Sequence, residues 1–214
     1  MRGPLLDDAN DPISDHSGEY GFSSGGVCVS YPAVMDRVDR TAEPATFVRS
    51  LAETIRRVEG VGRRLSAAQL RVSPVPDGWS PNEILWHIRA TADVYGEHIT
   101  RILNEDAPRW RHVSPRARMK KARYDEVPFA ESSAAFAEQR GDLLALLESV
   151  APDAWQRIAI VRVPYNDSEW RLTLHERVWG MANHEEVHCD QLEQVAAALS
   201  EPVKRAAQDR GRHR

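Results

Sequence analysis

Cysteine is nearly missing from this chain: Cys28 and Cys189 are the only two in 214 residues. A disulfide framework is therefore excluded, and both are read as reduced thiols. No apolar run approaches the roughly 18 residues that a membrane-spanning helix needs, which leaves no basis for a bilayer span. The opening stretch, Met1 to Asp8, contains no apolar segment and no cleavage pattern, so secretion has no support and cytoplasmic residence is the expectation. Neither sign of charge dominates, with 28 Lys and Arg against 32 Asp and Glu and a net charge of -4. That balance, with no aromatic-basic recognition module, argues against nucleic acid as a partner. Lysine is confined to positions 120, 121 and 204 while arginine and alanine abound, the bias of a GC-rich bacterial genome.

What is present is helical patterning. Residues 1 to about 40 are rich in Gly, Ser, Asp and Pro and show no sustained period, so a flexible N-terminal extension is expected there. From Pro44 the texture changes: Phe47, Leu51, Ile55, Val58, Val61 and Leu65 recur at three- and four-residue steps, the stripe of an amphipathic helix running to about residue 69. A second helix opens at Trp79-Ser80-Pro81-Asn82-Glu83-Ile84. Ser80 can cap, Pro81 suits the first helical position, Glu83 can close a capping box, and Trp79 with Ile84 can form a hydrophobic staple. Its inward stripe is Ile84, His87, Thr91, Val94, Tyr95, His98 and Ile102. A Pro- and Arg-rich stretch from about 105 to 128 is too long for a tight helical hairpin and reads as a crossover along a bundle.

A third stripe follows in Phe129, Phe136, Leu143, Leu144, Leu147 and Val150. The period then shortens through Ile158, Ile160 and Val163, the turn Pro164 to Ser168, and Trp170 to Leu172, which reads as a short β-hairpin. The last helix starts with a second capping box, Thr173-Leu174-His175-Glu176, and carries Leu174, Val178, Met181, His184, His188, Gln191 or Leu192, Val195 and Leu199 inward before Pro202. The predicted fold is all-α: a four-helix bundle over 41–201, with one long crossover between the second and third helices, a short β-hairpin before the last, and a basic C-terminal tail over 202–214.

Two histidines of the last helix stand where leucines would serve. Burying neutral imidazoles costs desolvation unless each nitrogen finds a partner, and a divalent metal removes that cost. His184 and His188 lie on adjacent turns, and His87 is inward on another helix. Three imidazoles from two helices leave at least one coordination position open, the catalytic rather than the structural pattern of zinc. Taken singly, His87 is more often a hydrogen-bonded core residue. His98 shares the face of His87 but stands 11 residues on, roughly 16 Å along the axis, too far to share an ion. His175 falls in the first turn of its helix, and His16, His112 and His213 in expected tails or loops. His184-Glu185-Glu186-Val187-His188 also satisfies H-E-x-x-H, the zincin protease signature. A protease is disfavoured because only 26 residues follow His188, no metzincin-type extension is present, and no substantial upstream sheet could hold an extended peptide.

The run Trp79 to Ile88 resembles the second-helix signature of the DinB/YfiT-like superfamily, and His184 to Leu192 resembles its last-helix signature. The resemblance spans roughly 43 to 200. It implies a four-helix bundle binding zinc, nickel or iron through His87, His184 and His188, with water completing the shell. It further implies a metal-dependent enzyme that transfers a low-molecular-weight thiol to an electrophilic small molecule; a non-catalytic metal-binding module is the alternative. Homodimers are among the assemblies it implies. An open-sided metal can hold a thiol as thiolate and supply a nucleophile at neutral pH. In that scheme Glu185 is a candidate base, although it projects about 100° from His184 and reads equally as a solvated side chain. Gln191, one turn beyond His188, is a candidate hydrogen-bond partner at the cofactor site, or equally a buried-edge amide. Cys189 points away from the ligands and reads as a packed thiol. Arg109-Trp110-Arg111, Arg116, Arg118, Lys120, Lys121 and Arg123 can rim the site and attract an anionic substrate, although such runs are usually solvated loop.

Overall fold

In a computed structural model, residues 37–111, 126–162 and 169–200 are described. Four helices carry the fold: α1 (Pro44–Arg64), α2 (Pro81–Asn104), α3 (Phe129–Glu148) and α4 (Leu174–Ser200). Three short strands, β1 (Arg109–Arg111), β2 (Ile158–Arg162) and β3 (Glu169–Thr173), form one small sheet.

α1 buries Phe47, Leu51, Val58 and Val61 of the expected stripe, with Thr54 buried beside them and Ile55 only partly so, yet ends at Arg64 rather than near 69. There the Ser66 amide and hydroxyl both donate to Gln69 Oε1, at 3.0 and 2.8 Å. Side-chain hydrogen bonding of this kind competes with the helical ladder, and a 3-10 turn at Gln69–Arg71 follows. α2 begins as its sequence predicts. The Glu83 amide donates to Ser80 Oγ at 3.3 Å, and Glu83 Oε2 accepts from the Ser80 amide at 2.8 Å, which satisfies two amides the helix start would otherwise strand. Ser80→Ala is expected to lower stability by about 1 kcal/mol, read as an unchanged slope and a lower midpoint in urea unfolding. Thr173 and Glu176 repeat the device at α4: the Glu176 amide donates to Thr173 Oγ1 at 3.1 Å, and the Thr173 amide donates to Glu176 Oε2 at 2.9 Å.

α1 packs against α3 and α4, and α2 against α4 and α3, so α1 and α2 stand diagonally across the bundle. Side-chain pairs give the directions. Thr54 meets Glu185 and Arg57 meets Asp190, so α1 and α4 run parallel. Arg89 meets Ser132 and Gln139 meets Asp93, so α2 and α3 are parallel too. His87 meets His184 and His98 meets Arg177, which makes α2 and α4 antiparallel. Parallel α2 and α3 require the chain between them to travel back along the bundle, the crossover expected from its length. Residues 112–125 of it lie outside the described residues, as do Arg116, Arg118, Lys120, Lys121 and Arg123, the hairpin turn at 163–168, and the C-terminal tail.

The hairpin is present, with β2 antiparallel to β3 in the register Ile160 to Arg171. It gains a partner that the periodicity did not reveal: β1 pairs in parallel with β2, Trp110 opposite Val161. Three residues are too few to show a two-residue period, so this strand was not visible in the sequence. The boundary placed at residue 40 also shifts. The Arg37 and Val38 amides donate to Asn183 Oδ1 at 2.6 and 3.2 Å, and Trp179 Nε1 donates to the Val38 carbonyl at 2.8 Å, so 37–40 are held against α4. The rest of the expected extension, 1–36, lies outside the described residues.

Candidate metal centre

α2 delivers His87 in its second turn, and α4 delivers His184 and His188 on adjacent turns of the face it presents to α2. All three are buried, with 6, 5 and 2% exposure. One nitrogen from each ring lies within 4.8 Å of the others. The Nε2 atoms of His87 and His184 are 3.0 Å apart, and the ring centroids of His87 and His188 are 4.4 Å apart in an edge-on arrangement. Imidazole nitrogens bonded at about 2.0–2.1 Å to one zinc sit roughly 3 Å from each other at the angles such ions adopt, so the spacing fits a shared ion. A hydrogen bond between two neutral rings also gives 3.0 Å, but it would not recruit the third.

The chemistry of the donors agrees with that geometry. His188 Nδ1 is 2.8 Å from Gln191 Oε1. A carboxamide oxygen only accepts, so Nδ1 carries the proton and Nε2 keeps the lone pair that a metal requires. Gln191, which reads in the sequence as a hydrogen-bond partner at the site or equally as a buried-edge amide, lies against His188. Around the rings, the Trp79 indole lies nearly parallel to His188 at 6.4 Å and tilted to His87 at 5.1 Å, and Tyr95 approaches His184 at 6.1 Å. These apolar walls restrict water and lower the local dielectric, which strengthens electrostatic interactions at the site.

The DinB superfamily model matches residues 47–192, most of the bundle. The chain belongs to the DinB superfamily. No curated protein sequence matches it significantly. Among solved structures, YfiT from Bacillus subtilis is similar at a TM-score of 0.64 and 15% identity, over 78% of this chain and 93% of that one. That protein is described as a probable metal-dependent hydrolase with an unusual four-helix bundle topology; at this identity the likeness shows a shared fold.

Within this DinB-superfamily bundle, Glu185 occupies a different place from the one its candidate role as base requires. Its carboxylate pairs with Arg140 and accepts from Thr54 Oγ1 at 3.1 Å, and it is not among the groups clustered with the rings. The physical reason is the helix angle: a residue about 100° round from His184 faces the interior between α1 and α3, not the seam with α2. Both members of the pair are 1% exposed. Burial pushes the Glu185 carboxyl above its ordinary value, with the Arg140 charge and the Thr54 hydrogen bond pulling it back. Cys189 is buried completely, and burial pushes its thiol up, so it is inert at neutral pH. His98 stacks on Trp110 at 4.0 Å and receives a hydrogen bond from Arg177 at 2.7 Å, outside the cluster. Arg109 of the expected basic rim is paired with Glu169 at 3.0 Å.

Two residues of this neighbourhood were not singled out in the sequence. In the sequence Trp79 reads only as a staple residue, yet its ring forms a wall of the site. Arg140 went unremarked, although its spacing from Phe136, Leu143 and Leu147 places it on the inward stripe of α3, and a charge there calls for a buried partner.

Proposed function

We propose that this DinB-superfamily protein is a metal-dependent enzyme in which His87, His184 and His188 hold one divalent ion, and which transfers a low-molecular-weight thiol to an electrophilic small molecule. The convergence of three buried imidazoles from two helices carries the reading. A divalent ion held there supplies Lewis acidity, stabilising the anionic form of the donor atom that joins the three rings.

What surrounds the rings supports a thiol over water. Among the described residues no carboxylate joins the cluster, and the nearest in sequence, Glu185, is committed to Arg140 and Thr54. Deprotonating water, with a pKa of about 15.7 in bulk, asks far more of a site without a base than deprotonating a thiol at about 8.5. In the reaction the thiol gives its proton to solvent, its sulfur forms a bond to the electrophilic carbon, and the leaving group departs with the electron pair of the bond that breaks. Trp79 and Tyr95 exclude water around the nucleophile, and Gln191 fixes the tautomer of His188.

The test is turnover. Metal-loaded protein is expected to convert chlorobimane to its fluorescent thioether, releasing chloride, faster than the uncatalysed reaction with at least one of cysteine, glutathione or mycothiol. His184→Ala is expected to reduce the rate to background. Protein that retains stoichiometric metal but accelerates none of these would overturn thiol transfer and favour a non-catalytic metal-binding bundle. Metal-dependent cleavage of amide or ester substrates instead would favour hydrolysis, the activity in the description of YfiT.

A further inference from the structure

We propose that the Thr91 hydroxyl is the positioning group for the thiol, donating a hydrogen bond to the sulfur that joins the three imidazoles; this rests on the thiol-transfer reading above. Thr91 is 3% exposed, and its Oγ1 is buried with no hydrogen-bond partner among the described residues. Threonine inside a helix ordinarily returns its hydroxyl to a carbonyl one turn back. Thr54 does so, bonding the Leu51 carbonyl at 2.8 Å and Glu185 at 3.1 Å. Thr91 is the exception.

Its place in α2 says what the hydroxyl is for. Positions 87, 91 and 95 follow one another at one-turn intervals on one helix face. The outer two both meet His184, His87 through Nε2 at 3.0 Å and Tyr95 ring to ring at 6.1 Å. Thr91 between them faces the same seam, one turn from a candidate ligand. A buried donor left without a partner costs stability, and such costs persist where a ligand supplies the missing bond. A hydroxyl both donates and accepts, and a thiolate sulfur takes the donated proton. The bond orients the sulfur lone pair and favours the ionised form. Valine has the same shape without the hydroxyl, so Thr91→Val separates packing from hydrogen bonding.

The experiment uses full-length protein loaded with cobalt(II), with 2-mercaptoethanol as the probe and the sulfur-to-cobalt charge-transfer band as the signal. In Thr91→Val, metal content is expected to be unchanged and the melting temperature equal or higher, because the lost hydroxyl had no partner. The dissociation constant for the thiol is expected to rise about tenfold, and Thr91→Ser to return to near the wild-type value. A clear band in the wild type with equal affinity in Thr91→Val overturns the role of Thr91 and leaves thiol binding standing. No band in the wild type overturns thiol binding itself and this inference with it. A lower melting temperature or a loss of metal in Thr91→Val also overturns it, since the hydroxyl would then be supporting the fold or the imidazoles.

Discussion

Protein purified with His188→Ala is expected to retain little metal where the unaltered chain is expected to carry a near-stoichiometric amount, with its helical content preserved. Three neutral imidazoles form a minimal donor set, and losing one leaves two rings and solvent to hold the ion. His188 is also oriented by a neighbour, since Gln191 accepts from its Nδ1 at 2.8 Å. Gln191→Ala should therefore weaken metal affinity by about 10- to 100-fold without abolishing it, a graded effect beside the near-complete loss in His188→Ala. Elemental analysis of the three proteins, prepared side by side, reads both. Metal content unaffected by either substitution would move the binding site away from these rings.

The legibility of this centre in the sequence has a physical basis. His184 and His188 are i and i+4 on a helix whose other inward positions are Val178, Met181, Leu192 and Val195, so two polar rings interrupt an apolar stripe at a spacing that aims them together. His87 interrupts the stripe of α2 in the same way, and both helix starts carry capping boxes that fix where those stripes begin. Periodicity says which face is inward but not which neighbour it meets. That Glu185 would turn toward α1 and α3 depends on the order of helices around the bundle, with α1 and α2 on a diagonal, and no local pattern encodes that order. β1 is too short to announce itself. The docking of Arg37 and Val38 onto α4 depends on a single amide, Asn183, receiving two backbone donors, a contact made across 145 residues of chain with no local trace. Glu185 reads in the sequence only as a candidate base, already set about 100° from His184; which helices its side chain meets depends on their order.

That rotation makes the buried ion pair the second place where one substitution should have a large consequence. Arg140 reaches from α3 to Glu185 on α4, while Thr54 donates to the same carboxylate from α1. Arg140 is also set over the Phe136 ring at 5.1 Å. Removing one partner of a buried pair leaves the other charge uncompensated and costs about 3–5 kcal/mol, whereas replacing both by apolar groups of similar volume is often near neutral. Arg140→Met is therefore expected to lower unfolding stability by about that amount, and Arg140→Met with Glu185→Leu to recover most of it. Proton linkage gives a second signature. Without Arg140, burial is opposed chiefly by the Thr54 hydrogen bond and raises the folded-state pKa of the Glu185 carboxyl further above the unfolded value. Stability is then fully present below the unfolded pKa and lost as pH rises through the folded one, so the penalty in Arg140→Met should be smaller at about pH 5 than at about pH 8. The apolar pair should show no such slope. It should, however, hold metal less tightly. Glu185 is the next residue after His184, about 100° round the helix, so pinning its carboxylate between α1 and α3 turns His184 toward His87. With two interchangeable apolar groups in place of the pair, that rotation is less tightly specified. Metal affinity unchanged in a double variant of recovered stability would show that packing alone sets the direction of the rings.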